Sequence, residues 1–548
     1  MKKKSVIIEI KFSKSAHPLV TIKVEDFHVI ELQSFSYIAN QSLDISLMPN
    51  DLSNAHDFSK KNKGILIQRD KNHVKIMNDP FCTIPLYYFK SKKKVIITTE
   101  PYYFSASNES DIDQAGLWET ILFGSCLWNR TLFKGLYQFP SACELIVTEE
   151  RLSLARYWDF NVEEDSSLKN EKNLVEALDS KLTDIFTSLP EKNYLMGISG
   201  GLDSRLSAAY LHKTNKAHLV KTFTYCSTKQ SLDYQLAKKV CHHYGLQEPS
   251  LHILDESSYR SQLAFLPKYT NGQIGIQHSH ICSVLEQSYK KSSDTQISNY
   301  FSDALFGFDC SGDKNVSMSS DSLTRILNST DGLSVEVRCD IKADISEIFS
   351  SFNPDANYSS LDEYKYVTER NQKFHMNLAF QQSRFMDTCL PYVNSDLLEF
   401  MMTVPLHLRK HKKVLDLLFE SGAIANFKMA DISSRHFIAG NEFANQGINS
   451  LIQKFDFKLQ NALSALTAKV TQGRMIYPNK YHTESHVNML HRFSSELSVS
   501  CSKLYEAGVF STDQRDLFNK VPVKSHGVSE RFQIISLNQE LINLNISR

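Results

Sequence analysis

The chain of 548 residues carries no net charge, with 61 Lys and Arg against 61 Asp and Glu. No field of one sign draws it to nucleic acid or to an anionic membrane surface. No apolar run approaches the roughly 18 residues of a membrane span. Ten cysteines stand at 82, 126, 143, 226, 241, 282, 310, 339, 389 and 501, and none forms C-x-x-C. That spacing argues against a zinc site or a disulfide framework and predicts reduced, mostly buried thiols in a cytoplasmic protein. The start, Met1-Lys2-Lys3-Lys4-Ser5-Val6-Ile7-Ile8-Glu9, is basic, and its apolar run is too short for a secretory signal. There is no internal repeat and no low-complexity tract. His242-His243 falls in a helical stretch and reads as structural.

What remains is an ordinary globular composition, 42% hydrophobic and 22% charged, in a length that suits two to three domains. Residues 1 to about 160 hold short β-type runs at Val6–Ile10, Leu19–Val24, Gly64–Gln68, Leu86–Phe89, Val95–Thr98 and Leu145–Val147, separated by Asn, Asp, Ser and Pro. This predicts a largely antiparallel half. The polar stretch Asn161–Ser167 reads as a linker. From about 170 the pattern alternates. Leu174, Leu178, Leu182 and Ile185 mark an amphipathic helix, and strands are expected at Tyr194–Ile198, Leu219–Tyr225, Ser250–Leu254 and Gln296–Tyr300. With a helix at Asp233–Tyr244, this argues a doubly wound parallel sheet. Beyond about 360 the chain reads as mainly helical, with loops near 426–448 and 522–528.

One segment carries chemistry. Tyr194 to Ile198 reads as a buried strand, Ser199-Gly200-Gly201-Leu202-Asp203-Ser204 as a glycine turn, and Leu206, Ala209 and Leu211 as a helix. Strand, glycine turn and helix start together bind phosphate through backbone N–H groups and the helix dipole. Asp203 offers a hard oxygen for Mg²⁺. A Walker A loop has Lys before its final Ser or Thr, and here an Asp stands there. S-G-G-x-D-S instead resembles the PP-loop of ATP pyrophosphatases, which cut ATP between the α and β phosphates.

Over most of its length the chain resembles the asparagine synthetase superfamily, in which a glutaminase-type domain precedes a PP-loop synthetase domain. Asn78-Asp79-Pro80-Phe81-Cys82-Thr83-Ile84-Pro85-Leu86-Tyr87-Tyr88 is similar to the family's D-x-x-G-x-x-P-L-Y-Y. Ile97–Glu100, Thr131–Pro140 and Arg156-Tyr157-Trp158 follow in family order. In the second half, Lys221–Tyr225, Ser231–Gly245 and Leu390–Phe400, continued by Pro405, Leu408 and Arg409, resemble the later family segments. Ser298-Asn299-Tyr300-Phe301-Ser302-Asp303-Ala304-Leu305-Phe306-Gly307 is similar to S-G-x-G-x-D-E-L-F-G.

The resemblance implies an α/β chain with three parts. An α+β N-terminal-nucleophile-type sandwich spans 1–160, a doubly wound PP-loop synthetase domain 170–445, and a helical extension packed on it 446–548. It implies ATP and Mg²⁺ as cofactors. Ile198, Ser199, Gly200, Gly201, Asp203, Ser204, Phe223, Thr224, Ser298 and Asn299 would bind nucleotide, and Asp203 and Asp303 would hold the metal. Tyr300 would take part in proton transfer from the attacking nitrogen, or else pack on adenine or in the core. Lys428 and Arg435 are the candidates for the basic residue that stabilises acyl transfer.

The chain also departs from the pattern. Glutaminases of this class use an N-terminal cysteine. The first cysteine here is Cys82, at a family glycine position, so a core role and an inactive glutaminase domain are expected. Asn299 and Phe301 replace two glycines, and Ala304 replaces a Glu. Thr388-Cys389-Leu390 stands where aspartate-binding residues would be. The expected activity is an amide-forming ligase with a small-molecule or peptide carboxylate, an amine or ammonia donor, and no nucleic-acid or membrane partner. A partner protein or homodimer stays open. The alternatives are glutamine-dependent asparagine synthesis, a PP-loop tRNA-modifying enzyme and a non-catalytic scaffold.

Overall fold

A computed structural model describes residues 4–11, 18–31, 34–40, 55–91, 94–105, 111–159, 162–226, 228–289, 292, 294–307, 322–350, 352–353, 355–425, 486–520 and 528–543, with scattered residues between 455 and 471. The chain is mixed α/β, 50% helical and 18% strand, with two antiparallel sheets and one parallel sheet.

The first half holds β1 (Ser5–Lys11), β2 (Leu19–Glu25), β3 (His28–Glu31), β4 (Phe35–Ala39), β5 (Ile65–Arg69) and β6 (Val74–Asn78). It continues with β7 (Tyr87–Ser91), β8 (Lys94–Thr98), β9 (Tyr137–Gln138), β10 (Cys143–Val147) and β11 (Leu152–Arg156). One sheet runs β2-β1-β8-β7-β9, the other β11-β10-β6-β5-β4-β3. Alternation sets their faces: Val6, Ile8 and Ile10 of β1 are fully buried while the residues between them are not. These three share one core with Ile65 and Ile67 of β5 and Val74 and Ile76 of β6, so the sheets pack face to face. The helix Ala55–Lys61 covers the outer face of the second sheet through Phe58 against Tyr37, Leu66 and Met77. The helix Gln114–Phe123 belongs with Tyr87, Phe89 and Ile96 of the first sheet to the large core of the second half. The expected antiparallel half is therefore a sandwich with helices outside both sheets.

The second half is built on β12 (Tyr194–Gly197), β13 (Val220–Cys226), β14 (Ser250–Ile253), β15 (Thr295–Ile297) and β16 (Thr388–Cys389). All pairings are parallel, in the order β14-β13-β12-β15-β16. The chain winds outward from β12 in one direction to β14, then returns to its other side for β15. The order reverses between β12 and β15, and a ligand crevice opens at such a point, outside the carboxyl ends of the strands. The helix Glu171–Thr187 buries Leu174, Leu178, Leu182 and Phe186, and Asn170 caps it by accepting from the N–H groups of Lys172 and Asn173.

Two expectations are corrected. The strand expected at Gln296–Tyr300 spans Thr295–Ile297, and the chain turns beyond it where Phe301 takes a left-handed φ of 78°. β16 lies in the stretch read as helical, where its two residues add an edge to the parallel sheet. The mainly helical reading beyond about 360 includes a π-helix, Tyr366–Met376, between the helices Leu361–Lys365 and Asn377–Ser383. The helix Val528–Asn543 also reaches the first half: Gln533 Nε2 donates to the carbonyls of Gly124 and Gln273. Among the described residues no helix is long and apolar enough to cross a membrane.

Candidate functional site

Ser199–Ser204 follows β12 and Ser298–Asp303 follows β15, so the two segments flank the switch point. The glycine turn is held by its own serines. Ser204 Oγ accepts from the Ser199 N–H and lies 3.2 Å from Ser199 Oγ. The Gly201 N–H donates to Ser199 Oγ at 3.1 Å. Gly200 must lack a side chain, since a Cβ there would come within 2.6 Å of Leu236 in the helix Leu232–Tyr244. Gly201 caps the helix Leu202–Lys213 without a side-chain bond to its N–H groups, which leaves a helix start suited to an anion.

Behind the turn, Ile198 donates through its N–H to the Phe223 carbonyl at 2.9 Å and accepts from Thr224 Oγ1 at 2.7 Å. The Phe223 ring is fully buried under Gly197, so only its backbone could face a nucleotide. The Ser298 N–H donates to the Cys389 carbonyl, tying β15 to the edge strand. Asn299 Oδ1 accepts from Ser207 Oγ at 2.7 Å, and Ser207 also meets the Tyr392 hydroxyl at 2.8 Å. Asn299 thus links the second loop to the helix of the first.

Asp203 and Asp303 converge on one cation, the ammonium of Lys412. Its Nζ lies 2.9 Å from Asp203 Oδ1 and 2.6 Å from Asp303 Oδ1. Burial alone would lower the Lys412 pKa, but the two carboxylates outweigh it and hold it above its usual value. His411 and Lys412 both adopt left-handed backbone, φ 56° and 59°. Such strain costs on the order of 1–3 kcal/mol per residue and clusters at functional sites. The candidates Lys428 and Arg435 lie outside the described residues. Lys412 went unread in the sequence, where it is one cation in the run Arg409-Lys410-His411-Lys412-Lys413. The neighbouring Arg409 is fully buried and bonded to Glu363 at 2.7 Å, a packing role.

Tyr300 is half-buried, and its hydroxyl accepts from Gln382 Nε2 at 2.7 Å. Burial pushes its pKa up, so it is a neutral phenol. His375 stacks on it with ring centres 5.6 Å apart. Burial, then Arg370, lowers the His375 pKa to about 3. The unfolded chain therefore binds a proton at His375 below about pH 6.5 that the native state refuses, and stability falls as pH falls. Relative to His375→Phe, the wild type should lose about 1.4 kcal/mol per pH unit between pH 6 and 4. Denaturant midpoints measured across that range check this.

Two positions where the resemblance expects glycine keep a left-handed backbone, Cys82 at φ 51° and Phe301 at φ 78°. Cys82 is 1% exposed, and burial pushes its thiol well up, so it lacks the thiolate a nucleophile needs. Eight of the nine described cysteines are buried and none is paired. Among the described residues no cluster of three or more His, Cys, Asp or Glu could hold a metal ion. The possible cation site is thus the Asp203–Asp303 pair, two ligands that phosphate oxygens would complete. No family model matches the chain, and no curated protein matches it.

Proposed function

We propose that the chain is an ATP- and Mg²⁺-dependent ligase that joins a carboxylate to a nitrogen nucleophile. The observation that carries this reading is the convergence of Asp203 and Asp303 on one cation at the switch point, beside the serine-held glycine turn. Asp203 and Asp303, which the Lys412 ammonium joins, are the residues that would hold a divalent cation. Bound Mg²⁺ would supply charge neutralisation for the phosphate chain. The turn's N–H groups and serine hydroxyls would grip the β and γ phosphates, leaving the α phosphorus toward the carboxylate.

The carboxylate oxygen attacks that phosphorus, forming an acyl-adenylate as pyrophosphate leaves. The nitrogen lone pair then attacks the acyl carbon, the C–O bond to AMP breaks, and one N–H proton is lost. Lys412 is the described cation able to stabilise charge on the departing phosphate. The carboxylate would belong to a small molecule or a peptide, and the nitrogen to an amine or ammonia. The first half would serve as structure without glutamine hydrolysis, in a cytoplasmic enzyme.

ATP–pyrophosphate exchange over a panel of carboxylates tests this reading. We expect exchange with at least one carboxylate, strict Mg²⁺ dependence, and loss of at least a hundredfold in Asp203→Ala. Exchange unchanged by that substitution overturns the site, and no exchange with any carboxylate overturns the reaction.

A further inference from the structure

The segments that carry Asp203 and Asp303 are fastened to each other by a side-chain bond, and each end of it sits beside a carboxylate. Ser207 lies four residues after Asp203 on the helix Leu202–Lys213, hence on the same face of it. Its Oγ donates to Asn299 Oδ1 at 2.7 Å. Asn299 is held in turn to the residue before Asp303: its carbonyl accepts from Ser302 Oγ at 2.7 Å and from the Ser302 N–H at 3.3 Å. The path from one carboxylate to the other therefore runs through a helical turn, a hydrogen bond and a loop turn. Asn299, at a position where the resemblance expects glycine, supplies the side chain that closes it.

A third group backs this bond. Ser207 has one hydroxyl proton and gives it to Asn299, so the Tyr392 hydroxyl, 2.8 Å away, donates to Ser207 Oγ. Tyr392 follows β16 and is fully buried, with Phe186 and Phe306 edge-on to its ring at 6.2 and 5.8 Å. Ser207 is fully buried as well. Breaking either bond there would leave a buried polar atom unpaired, so both hold their geometry. The Lys412 ammonium also joins the two carboxylates, but on a flexible stem that follows their separation without setting it.

Selection between small and large divalent cations depends on the size and flexibility of the ligand set. Mg²⁺ demands oxygens at about 2.0–2.1 Å in a near-octahedral array, whereas Ca²⁺ takes about 2.3–2.6 Å in a flexible one. Two carboxylates free to part would serve either ion; two tied at a fixed separation discriminate. We propose that Ser207, Asn299 and Tyr392 are positioning residues that fix the separation of Asp203 and Asp303, and so set a preference for Mg²⁺ over Ca²⁺. This rests on the ligase reading above, in which the two aspartates hold the cation.

Calorimetric titration of the full chain with the Mg²⁺ and the Ca²⁺ complexes of α,β-methylene-ATP tests it. This analogue is not cut between its α and β phosphates, so the readout is binding and not turnover. Wild type should bind the Mg²⁺ complex at least tenfold more tightly, a difference of roughly 1.4 kcal/mol. Ser207→Ala and Asn299→Ala should each reduce that ratio about tenfold, the scale of one buried hydrogen bond. Their double variant should match the singles, because both remove the same bond. Tyr392→Phe should lower the ratio too; it keeps the ring in place and reports even if Ser207→Ala misfolds. A general loss of structure weakens both complexes alike and leaves the ratio where it was. An unchanged ratio in these variants, or a double variant far beyond either single, overturns the proposal and leaves the ligase reading standing. So does a wild type that binds the two complexes equally. Asp203→Ala binding both complexes like wild type overturns the proposal and the cation site together.

Discussion

Replacing Arg384 with methionine should destabilise the protein by about 3–5 kcal/mol, the cost of stranding one charge of a buried pair. Arg384 Nη2 donates to Glu100 Oε1 at 2.8 Å, with side-chain exposures of 1% and 4%. Its Nε also donates to Gln381 Oε1, and its guanidinium lies 4.2 Å over the Tyr269 ring. Glu100 follows β8 of the first half, and Arg384 precedes β16 of the second, so the pair rivets the two sheet systems. Most of the loss comes from Glu100 left charged in a dry place. The double variant Arg384→Met/Glu100→Leu should therefore recover much of it. All three tryptophans, Trp118, Trp128 and Trp158, lie in or next to the first half. Denaturation followed by tryptophan fluorescence thus reads the half that loses its partner. A single variant that unfolds like wild type, or a double variant worse than both singles, would show that this pair does not hold the halves.

Lys412→Met should act on chemistry and on metal binding in opposite directions. Exchange should fall by about 10²–10³, the range for removing one preorganised group that stabilises developing charge. In the absence of nucleotide, Mg²⁺ should bind more tightly to the variant, because Asp203 and Asp303 then face each other without the ammonium. Calorimetry with MgCl₂ alone reads the second effect, and unchanged metal affinity would remove Lys412 from the cation site. Lysine is protonated below its pKa, and the folded value is raised. Its ion pairs thus persist below the unfolded value and are lost only as pH rises past the folded one. No limb of an activity profile between pH 6 and 9 should belong to Lys412.

Local pattern made much of the frame legible. The run Val6–Ile10 alternates cleanly and lies inside β1, and the helix expected at Asp233–Tyr244 gains one residue at its start. β4 escaped notice because all five of its residues are buried, which erases the period of two. The glycine turn was legible because its residue types are fixed by close approach. Its cation partner was not: Asp203 and Lys412 are 209 residues apart, and the left-handed turn at His411-Lys412 uses residues that composition would never assign to it. The loop after β15 shows the converse. Asn299 and Phe301 look like erosion in one dimension, yet Phe301 holds the left-handed turn and packs edge-on against Phe81 of the first half.

The π-helix Tyr366–Met376 behaves as a gauge between the two halves. Gln372 donates to the Phe139 carbonyl and accepts from the Ser141 N–H. Lys373 donates to the carbonyls of Cys126 and Trp128. Two residues further on, the same helix presents His375 to Tyr300. Its widened turns are registered against the first half's backbone, so the orientation of the imidazole is dimensioned by a sandwich that need perform no chemistry itself. The sandwich is then a measuring frame for that imidazole, set through the backbone groups it offers to Gln372 and Lys373.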